Sequence, residues 1–106
     1  MVARSVSIRL KPNSVAEFTR IVEQEILPLL RNQKGFQDEI TLVLPEGLQV
    51  VGISLWDSDD DANAYSRGAY RQVLTALEKV IGGPPEIHLF EVSNSTFHKI
   101  GAQIAA

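Results

Sequence analysis

Apolar and polar side chains alternate along residues 2–10, where Val6, Ile8 and Leu10 are separated by polar residues. A period of two is typical of a strand with one buried face, so we predict the first strand here. Further strands are predicted over residues 36–44, 48–56 and 86–93. The second and third of these strands are separated by a short turn, which predicts an antiparallel hairpin.

A first helix is predicted over residues 15–32, because its apolar residues recur at spacings of three and four. Ser14 and Glu17 have the spacing of a capping box, in which the serine oxygen accepts from a free helix N–H and the glutamate reaches back. Pro28 lies inside this helix and removes one backbone hydrogen bond. We therefore expect a kink over residues 24–27.

A second helix is predicted to begin at Ser58, where Asp61 completes another cap of the same kind. Gly68 interrupts the helical pattern, so the prediction divides it into a segment over residues 59–66 and a longer one over residues 69–81. The resulting order is strand, helix, strand, strand, helix, strand. This order predicts an α+β, ferredoxin-like fold with a four-stranded antiparallel sheet and the helices on one face.

The alternation also divides the sheet residues into an aliphatic face, which includes Ile8, and a mixed face, which includes Trp56, His88 and Phe90. Both faces are largely apolar, so the pattern does not decide which one lies under the helices. The face without helices needs a cover, which predicts a homodimer formed through the sheet faces. We assign residues 1–97 to one domain and residues 98–106 to a C-terminal tail.

Composition narrows the classes of function. The chain has 106 residues and a net charge of −3, with its ten Lys and Arg residues scattered, so nucleic acid is not an expected partner. No apolar run approaches the length of a membrane span and no signal peptide is evident, which favours a cytoplasmic protein. The absence of cysteine excludes disulfides, thiolate nucleophiles and cysteine-based metal sites.

Several segments together resemble the antibiotic biosynthesis monooxygenase domain, and the resemblance covers residues 2–97. It implies a dimeric α+β barrel with a small-molecule pocket between sheet and helices in each subunit. For some members it also implies oxygenation of aromatic, polyketide-like substrates without metal or cofactor. The segments that carry it are Pro12-Asn13-Ser14 with Glu17-Phe18, Pro28-Leu29-Leu30-Arg31 with Gly35-Phe36, and Leu55-Trp56-Asp57-Ser58 before the helix that contains Tyr65.

The haem-degrading branch of that family fits less well. It relies on an asparagine in the first strand and a histidine on the second helix. Here the first strand has Ser5 and Ser7 at the matching region, and the second helix has no histidine. Haem degradation is therefore the less favoured activity.

Trp56 ends a strand that has little side chain at Gly52 and Ser54, which leaves room for a ligand beside the indole. We predict that these three residues bind the substrate, together with Arg71 and Phe90. Packing in the core is the alternative for Trp56.

Cofactor-independent oxygenation requires that the substrate lose a proton and that donors hold the resulting anion. His88 is the predicted base, with Tyr65 and Tyr70 as further catalytic candidates. Core packing is the alternative for both tyrosines, and a structural role at an interface is the alternative for the histidine.

No metal site is predicted. The two histidines lack a carboxylate at ligand spacing. The acidic run that begins at Asp57 has Ala62 and Gly68 where a calcium loop needs glycine and glutamate, so its aspartates are interpreted as helix caps.

The favoured function is a cofactor-independent monooxygenase for a small planar aromatic or quinol-like substrate. The alternative is a non-catalytic homodimer that binds a small molecule. A third possibility is an interaction module without a pocket.

Overall fold

The computed structural model describes residues 1–98, and it confirms the predicted ferredoxin-like α+β order. Residues 99–106, which make up nearly all of the predicted tail, lie outside the described residues. The strands are β1 (Val2–Arg9), β2 (Phe36–Val43), β3 (Gln49–Trp56) and β4 (Glu86–Glu91). The helices are α1 (Val15–Ile21), α2 (Leu27–Arg31), α3 (Asp59–Arg67) and α4 (Tyr70–Leu77), and a π-helical turn (Val22–Ile26) joins α1 to α2.

The four strands form one antiparallel sheet in the order β2-β3-β1-β4. All the helices cover the same face, which we call the helix side. The other face is called the open face. Trp56 and Val50 lie on the helix side, and their side chains are 0% and 1% exposed.

The strand register corrects the predicted division of the two faces. Val2 pairs with Trp56 on β3, so Ile8 lies on the helix side with Val50 and not with the aliphatic residues of β2 and β3. His88 pairs with Ser5 and therefore lies on the open face. The sequence pattern does not determine this assignment. Alternation shows which residues of one strand share a face, but it does not show which faces of neighbouring strands lie on the same side of the sheet.

The two predicted helix caps have different outcomes. Ser58 Oγ accepts from the backbone N–H of Asp61 at 3.2 Å, which confirms the cap of α3. Ser14 is the residue before α1, but its side chain makes no cap, because its hydroxyl donates to the carbonyl of Pro12 at 3.5 Å. Glu17 instead forms an ion pair with Arg20, so the predicted capping box is wrong.

The first helix is disturbed where Pro28 predicted a kink. Proline has no N–H for the carbonyl of Gln24, its partner in a regular α-helix. The chain responds with the π-helical turn, in which Leu27 N–H donates to the carbonyl of Val22, five residues earlier. Such turns absorb a local mismatch without breaking the helix. As a result, α2 continues beyond the proline, and the π turn becomes part of the wall above the sheet.

The junction between β3 and α3 is packed tightly against the turn before β2. Gly35 has a φ of +80°, and a Cβ at this position would lie 2.1 Å from Asp61 Oδ2. Its carbonyl accepts from the backbone N–H of Asp57 at 2.8 Å. Only glycine fits this conformation and this approach. The contact fixes the start of α3 beside the end of the strand that carries Trp56.

The last described residues return across the open face. His98 Nε2 lies 2.5 Å from Asp38 Oδ2 on β2. Phe97 lies near Ile40 and Leu55, although its side chain is 77% exposed. The open face thus still presents apolar surface.

Candidate functional site

A half-open chamber of about 70 Å³ lies between the sheet and the helices. Apolar side chains from the first helix, the π turn and α4 form its roof, and two tyrosines close one side. Its wall residues on the helices are Phe18, Val22, Ile26, Leu30, Tyr65, Tyr70, Val73 and Leu77. Its wall residues on the sheet are Arg4, Val6, Ile8, Glu39, Thr41, Val50, Gly52 and Ser54.

The polar side chains of the chamber floor form one row across three strands. Ser54 pairs with Arg4 on β1 and with Glu39 on β2. Since neighbouring strands are separated by nearly 5 Å, the backbones of Arg4 and Glu39 are about 10 Å apart. The cation and the carboxylate therefore stand on opposite sides of the chamber.

A β-bulge brings Glu39 into the chamber. Phe36 pairs with Trp56, whereas Asp38 pairs with Leu55, so one extra residue lies between them on β2. In a regular ladder continued from Phe36, Glu39 would lie opposite Ile53 and would face the other side of the sheet. Gln37 is the bulged residue, and its amide donates to Asp57 Oδ1 at 2.6 Å.

Arg4 is the buried cation of the chamber, with only 2% of its surface exposed. Its Nε donates to Ser66 Oγ at 2.8 Å, and its Cζ lies 4.2 Å from the ring centroid of Tyr70 and 5.1 Å from that of Tyr65. Such cation–π contacts favour a charged guanidinium. Arg4 Nη2 and Tyr70 Oη are both buried and make no hydrogen bond of good geometry within residues 1–98, although the guanidinium is close enough to the phenol to oppose the rise in the pKa of Tyr70.

Burial disfavours the ionised form of both tyrosines that line the chamber. Burial raises the pKa of Tyr65 to about 12, and the nearby Arg4 guanidinium only partly opposes this rise. Burial also raises the pKa of Tyr70, again opposed by Arg4. Both hydroxyls therefore keep their protons and can donate to an oxygen in the chamber.

Glu39 is the one carboxylate that lines the chamber wall. Burial raises its pKa, and a hydrogen bond from Thr41 Oγ1 at 2.7 Å partly opposes the rise. The carboxylate lies beside Gly52 on β3, where a Cβ would be 3.4 Å from Glu39 Oε2, at ordinary van der Waals contact. A partly buried carboxylate with a raised pKa suits proton transfer near neutral pH.

Trp56 lies behind the chamber wall. Its ring stacks on Tyr65 with the centroids 5.0 Å apart, and it meets Phe36 edge-on at 5.5 Å. Its indole N–H donates to Ser54 Oγ at 2.8 Å. The tryptophan therefore holds Tyr65 and Ser54 in place, which corresponds to the packing alternative.

Comparison with known proteins matched no protein-family model and no curated protein sequence. Solved structures with the same fold were found. A protein from Bordetella bronchiseptica classed with the antibiotic biosynthesis monooxygenases is 17% identical, with a TM-score of 0.74, covering 86% of this chain and 95% of that one. The ActVA-Orf6 monooxygenase of Streptomyces coelicolor, solved with nanaomycin D, is 16% identical, with a TM-score of 0.74 and coverages of 89% and 88%.

The cofactor-independent oxygenase SnoaB of Streptomyces nogalater is 20% identical, with a TM-score of 0.72, covering 90% of this chain and 95% of that one. The chain has the fold of the antibiotic biosynthesis monooxygenases. The resemblance seen in its segments is thereby confirmed at the level of architecture. At these identities the monooxygenase fold is what is shared, and the chemistry must be argued from the chamber.

The predicted site residues separate into those that line the chamber, one that supports it, and three that lie outside it. Gly52, Ser54, Tyr65 and Tyr70 line the chamber, and Trp56 supports it from behind.

The remaining candidates lie elsewhere. His88 and Phe90 are exposed on the open face, with ring centroids 6.1 Å apart. Arg71 is exposed on α4 beside a surface groove that also contains Glu25 and Arg67. The register of β4 and the direction of α4 thus keep these three predicted residues out of the chamber.

Arg4 and Glu39 were missed by the sequence analysis. Arg4 alternates with Val6 and Ile8 along β1, so its side chain lies on the same, apolar side of the strand. A charged residue on that side was a usable signal of a buried functional group. Glu39 had a weaker signal, since it alternates with the apolar Ile40 and Leu42 as an ordinary surface residue would. Its position depends on the bulge.

The described part of the chain contains no group of three or more His, Asp or Glu side chains placed to hold a metal ion. It also contains no helix that is long and apolar enough to cross a membrane.

Proposed function

We propose that the protein is a cofactor-independent monooxygenase for a small planar aromatic or quinol-like substrate. One observation carries the proposal. An apolar chamber holds a carboxylate, Glu39, opposite two hydrogen-bond donors, Arg4 Nη2 and Tyr70 Oη, that have no partner in the described part of the chain. The shared fold of an oxygenase named as cofactor-independent supports it.

In the proposed reaction, Glu39 removes a proton from the substrate, and the resulting enolate or phenolate supplies electrons to dioxygen. For a methylene substrate such as an anthrone, the carbon loses both hydrogens and gains one oxygen as a carbonyl. The second oxygen atom leaves with the two hydrogens as water. The carbon provides the four electrons that reduce dioxygen, so no external reductant is consumed.

The chain's own groups have separate tasks in this scheme. Glu39 carries the proton, while Arg4 and the hydroxyls of Tyr65 and Tyr70 stabilise the oxyanion. Donors fixed in place before the reaction are effective because they need no reorganisation as charge develops. The apolar roof keeps water away from the reactive anion.

The size of the chamber limits how the substrate is bound. About 70 Å³ corresponds to roughly two water molecules, which is less than an aromatic ring needs. We propose that the oxygen-bearing edge of the ring enters and that the rest extends over β2. Glu39, Thr41 and Gly52 are the partly exposed wall residues on this side.

Oxygen uptake is the direct test. The metal-free protein, treated with a chelator, is mixed with a panel of quinols and anthrones, and dioxygen is followed with an electrode. We expect uptake above the buffer rate and one water formed per carbonyl gained. Uptake equal to the buffer rate for every member of the panel would contradict the proposal.

A second candidate is a non-catalytic protein that binds a small molecule in the same chamber. The chamber's modest volume and its support by Trp56 fit this function equally well. Ligand binding without oxygen uptake would favour it.

We also propose a homodimer formed through the open face, as the fold resemblance implies. This face exposes Ile40 at 50% and Phe90 at 56%, more apolar surface than isolated exposed residues would present. A second copy would cover these side chains.

Sedimentation tests the homodimer. We expect a dimer at micromolar concentration and a shift toward monomer in Ile40→Lys, because the lysine would have to be buried in the interface. Ile87→Lys is the matched control, since Ile87 is 45% exposed on the helix side of β4 and should leave the dimer intact. A wild-type monomer would overturn the proposal.

A further inference from the structure

Arg4 lacks the counter-charge that a buried cation normally has. Across residues 1–98, no carboxylate lies within 4.0 Å of its guanidinium. A buried charge without a partner is unfavourable, and such charges are usually paired or functional. Glu39 is two strands away, and its own burial disfavours the ionised form.

The guanidinium is also held in a fixed orientation. Ser66 accepts from Nε at one end, and the ring centroids of Tyr65 and Tyr70 lie 5.1 Å and 4.2 Å from Cζ. Nη2 is left without an acceptor, and the hydroxyl of Tyr70 is unpaired as well. A guanidinium that is fixed in this way is well suited to an oxyanion, which accepts several hydrogen bonds and supplies the missing charge.

We propose that the chamber binds its ligand as an anion, an aromatic molecule whose ionised oxygen accepts hydrogen bonds from Arg4 Nη2 and Tyr70 Oη. The inference rests on the proposed function, for which it defines the substrate class: phenols and enols that ionise near neutral pH, or rings bearing a carboxylate. A substrate that enters in its neutral form binds more weakly, because it leaves the charge of Arg4 uncompensated until Glu39 takes its proton.

The probe is 4-nitrophenol, which titrates near neutrality and changes its absorbance when it ionises. Bound to the wild-type protein, it should ionise at a pH at least one unit lower than in buffer, which corresponds to at least tenfold tighter binding of the anion. The titratable groups that line the chamber near Arg4 are Tyr65, Tyr70 and Glu39. Both tyrosines stay protonated over the pH range in which 4-nitrophenol ionises. The variant Glu39→Gln removes the third titratable group and so serves as its control.

Arg4→Met should abolish the shift, because it keeps the length of the side chain and removes the charge. Arg9→Met is the matched control, since Arg9 is exposed on the same strand and should leave the shift unchanged. Circular dichroism establishes that the variants fold. Should Arg4→Met fail to fold, Ser66→Ala removes only the tether of the guanidinium, and it should weaken anion binding measurably.

Benzoate and benzamide, which are similar in size, separate charge from shape. Benzoate should displace 4-nitrophenolate at least tenfold more effectively than benzamide does. Equal displacement by the two, or an unchanged shift in Arg4→Met, would overturn the inference. The binding experiments with these three probes do not depend on oxygenation, so oxygen uptake without a preference for the anion would contradict this inference alone. Preferential binding of the anion without oxygen uptake would contradict the proposed function alone.

Discussion

Glu39→Gln is expected to slow oxygenation about 10²–10⁴-fold, the usual contribution of a positioned general base. Glutamine keeps the shape and the hydrogen bond from Thr41 but cannot accept the substrate's proton. The initial rate of oxygen uptake measures the effect. Glu78→Gln, which removes an exposed carboxylate at the end of α4, should keep the wild-type rate. A Glu39→Gln rate within threefold of wild type would assign the proton transfer to another group.

The raised pKa of Glu39 also fixes the direction of two pH effects. Activity should fall as the pH is lowered through the folded-state pKa, which lies above the ordinary value of 4.5, because the base becomes protonated. The dependence of stability on pH has the opposite direction. The folded state holds this proton more tightly than the unfolded state does, so the stabilisation present below pH 4.5 is lost as the pH rises through the folded-state pKa. Urea denaturation at several pH values should show this loss in the wild type and not in Glu39→Gln.

Trp56→Ala is expected to lower the free energy of unfolding by about 3–5 kcal/mol, as is typical when a buried aromatic residue is truncated. The side chain is fully buried, and its removal leaves a cavity beside Tyr65 and Phe36. Urea denaturation followed by circular dichroism measures the change. Gln72→Ala, which truncates an exposed side chain on α4, should change the stability by no more than about 0.5 kcal/mol. Equal losses in the two variants would show that Trp56 is not a central packing residue.

Trp56→Phe separates packing from hydrogen bonding. Phenylalanine retains much of the buried ring but loses the N–H that donates to Ser54 Oγ. We expect a smaller loss than for alanine, with weaker binding in the chamber because Ser54 and Tyr65 lose part of their support.

Much of the fold follows from local sequence signals. Alternation predicts the four strands, and the breaks at Gly68 and Pro28 predict where the helices are interrupted. Such signals act within one element, so they require no knowledge of neighbouring strands. The cap at Ser58 is predicted for the same reason.

The site was harder to predict because it depends on relations between strands. The register that separates His88 from Trp56 is set by pairing across β1, and the bulge that turns Glu39 inward is visible only once β2 is aligned with β3. Arg4 is the exception. Its position in the apolar phase of β1 is a local signal, and a charged residue there predicts a buried functional group.

The π turn makes the roof of the chamber sensitive to the deletion of a single residue. It accommodates one more residue than an α-helix would over the same rise, and Val22 and Ile26 from this turn line the chamber. Deleting one residue from the turn would restore a regular helix over the same rise, with α1 and α2 kept in phase. Such a deletion would exchange only the side chains that the turn itself places above the ligand, and it would leave the row of Arg4, Ser54 and Glu39 on the sheet in place.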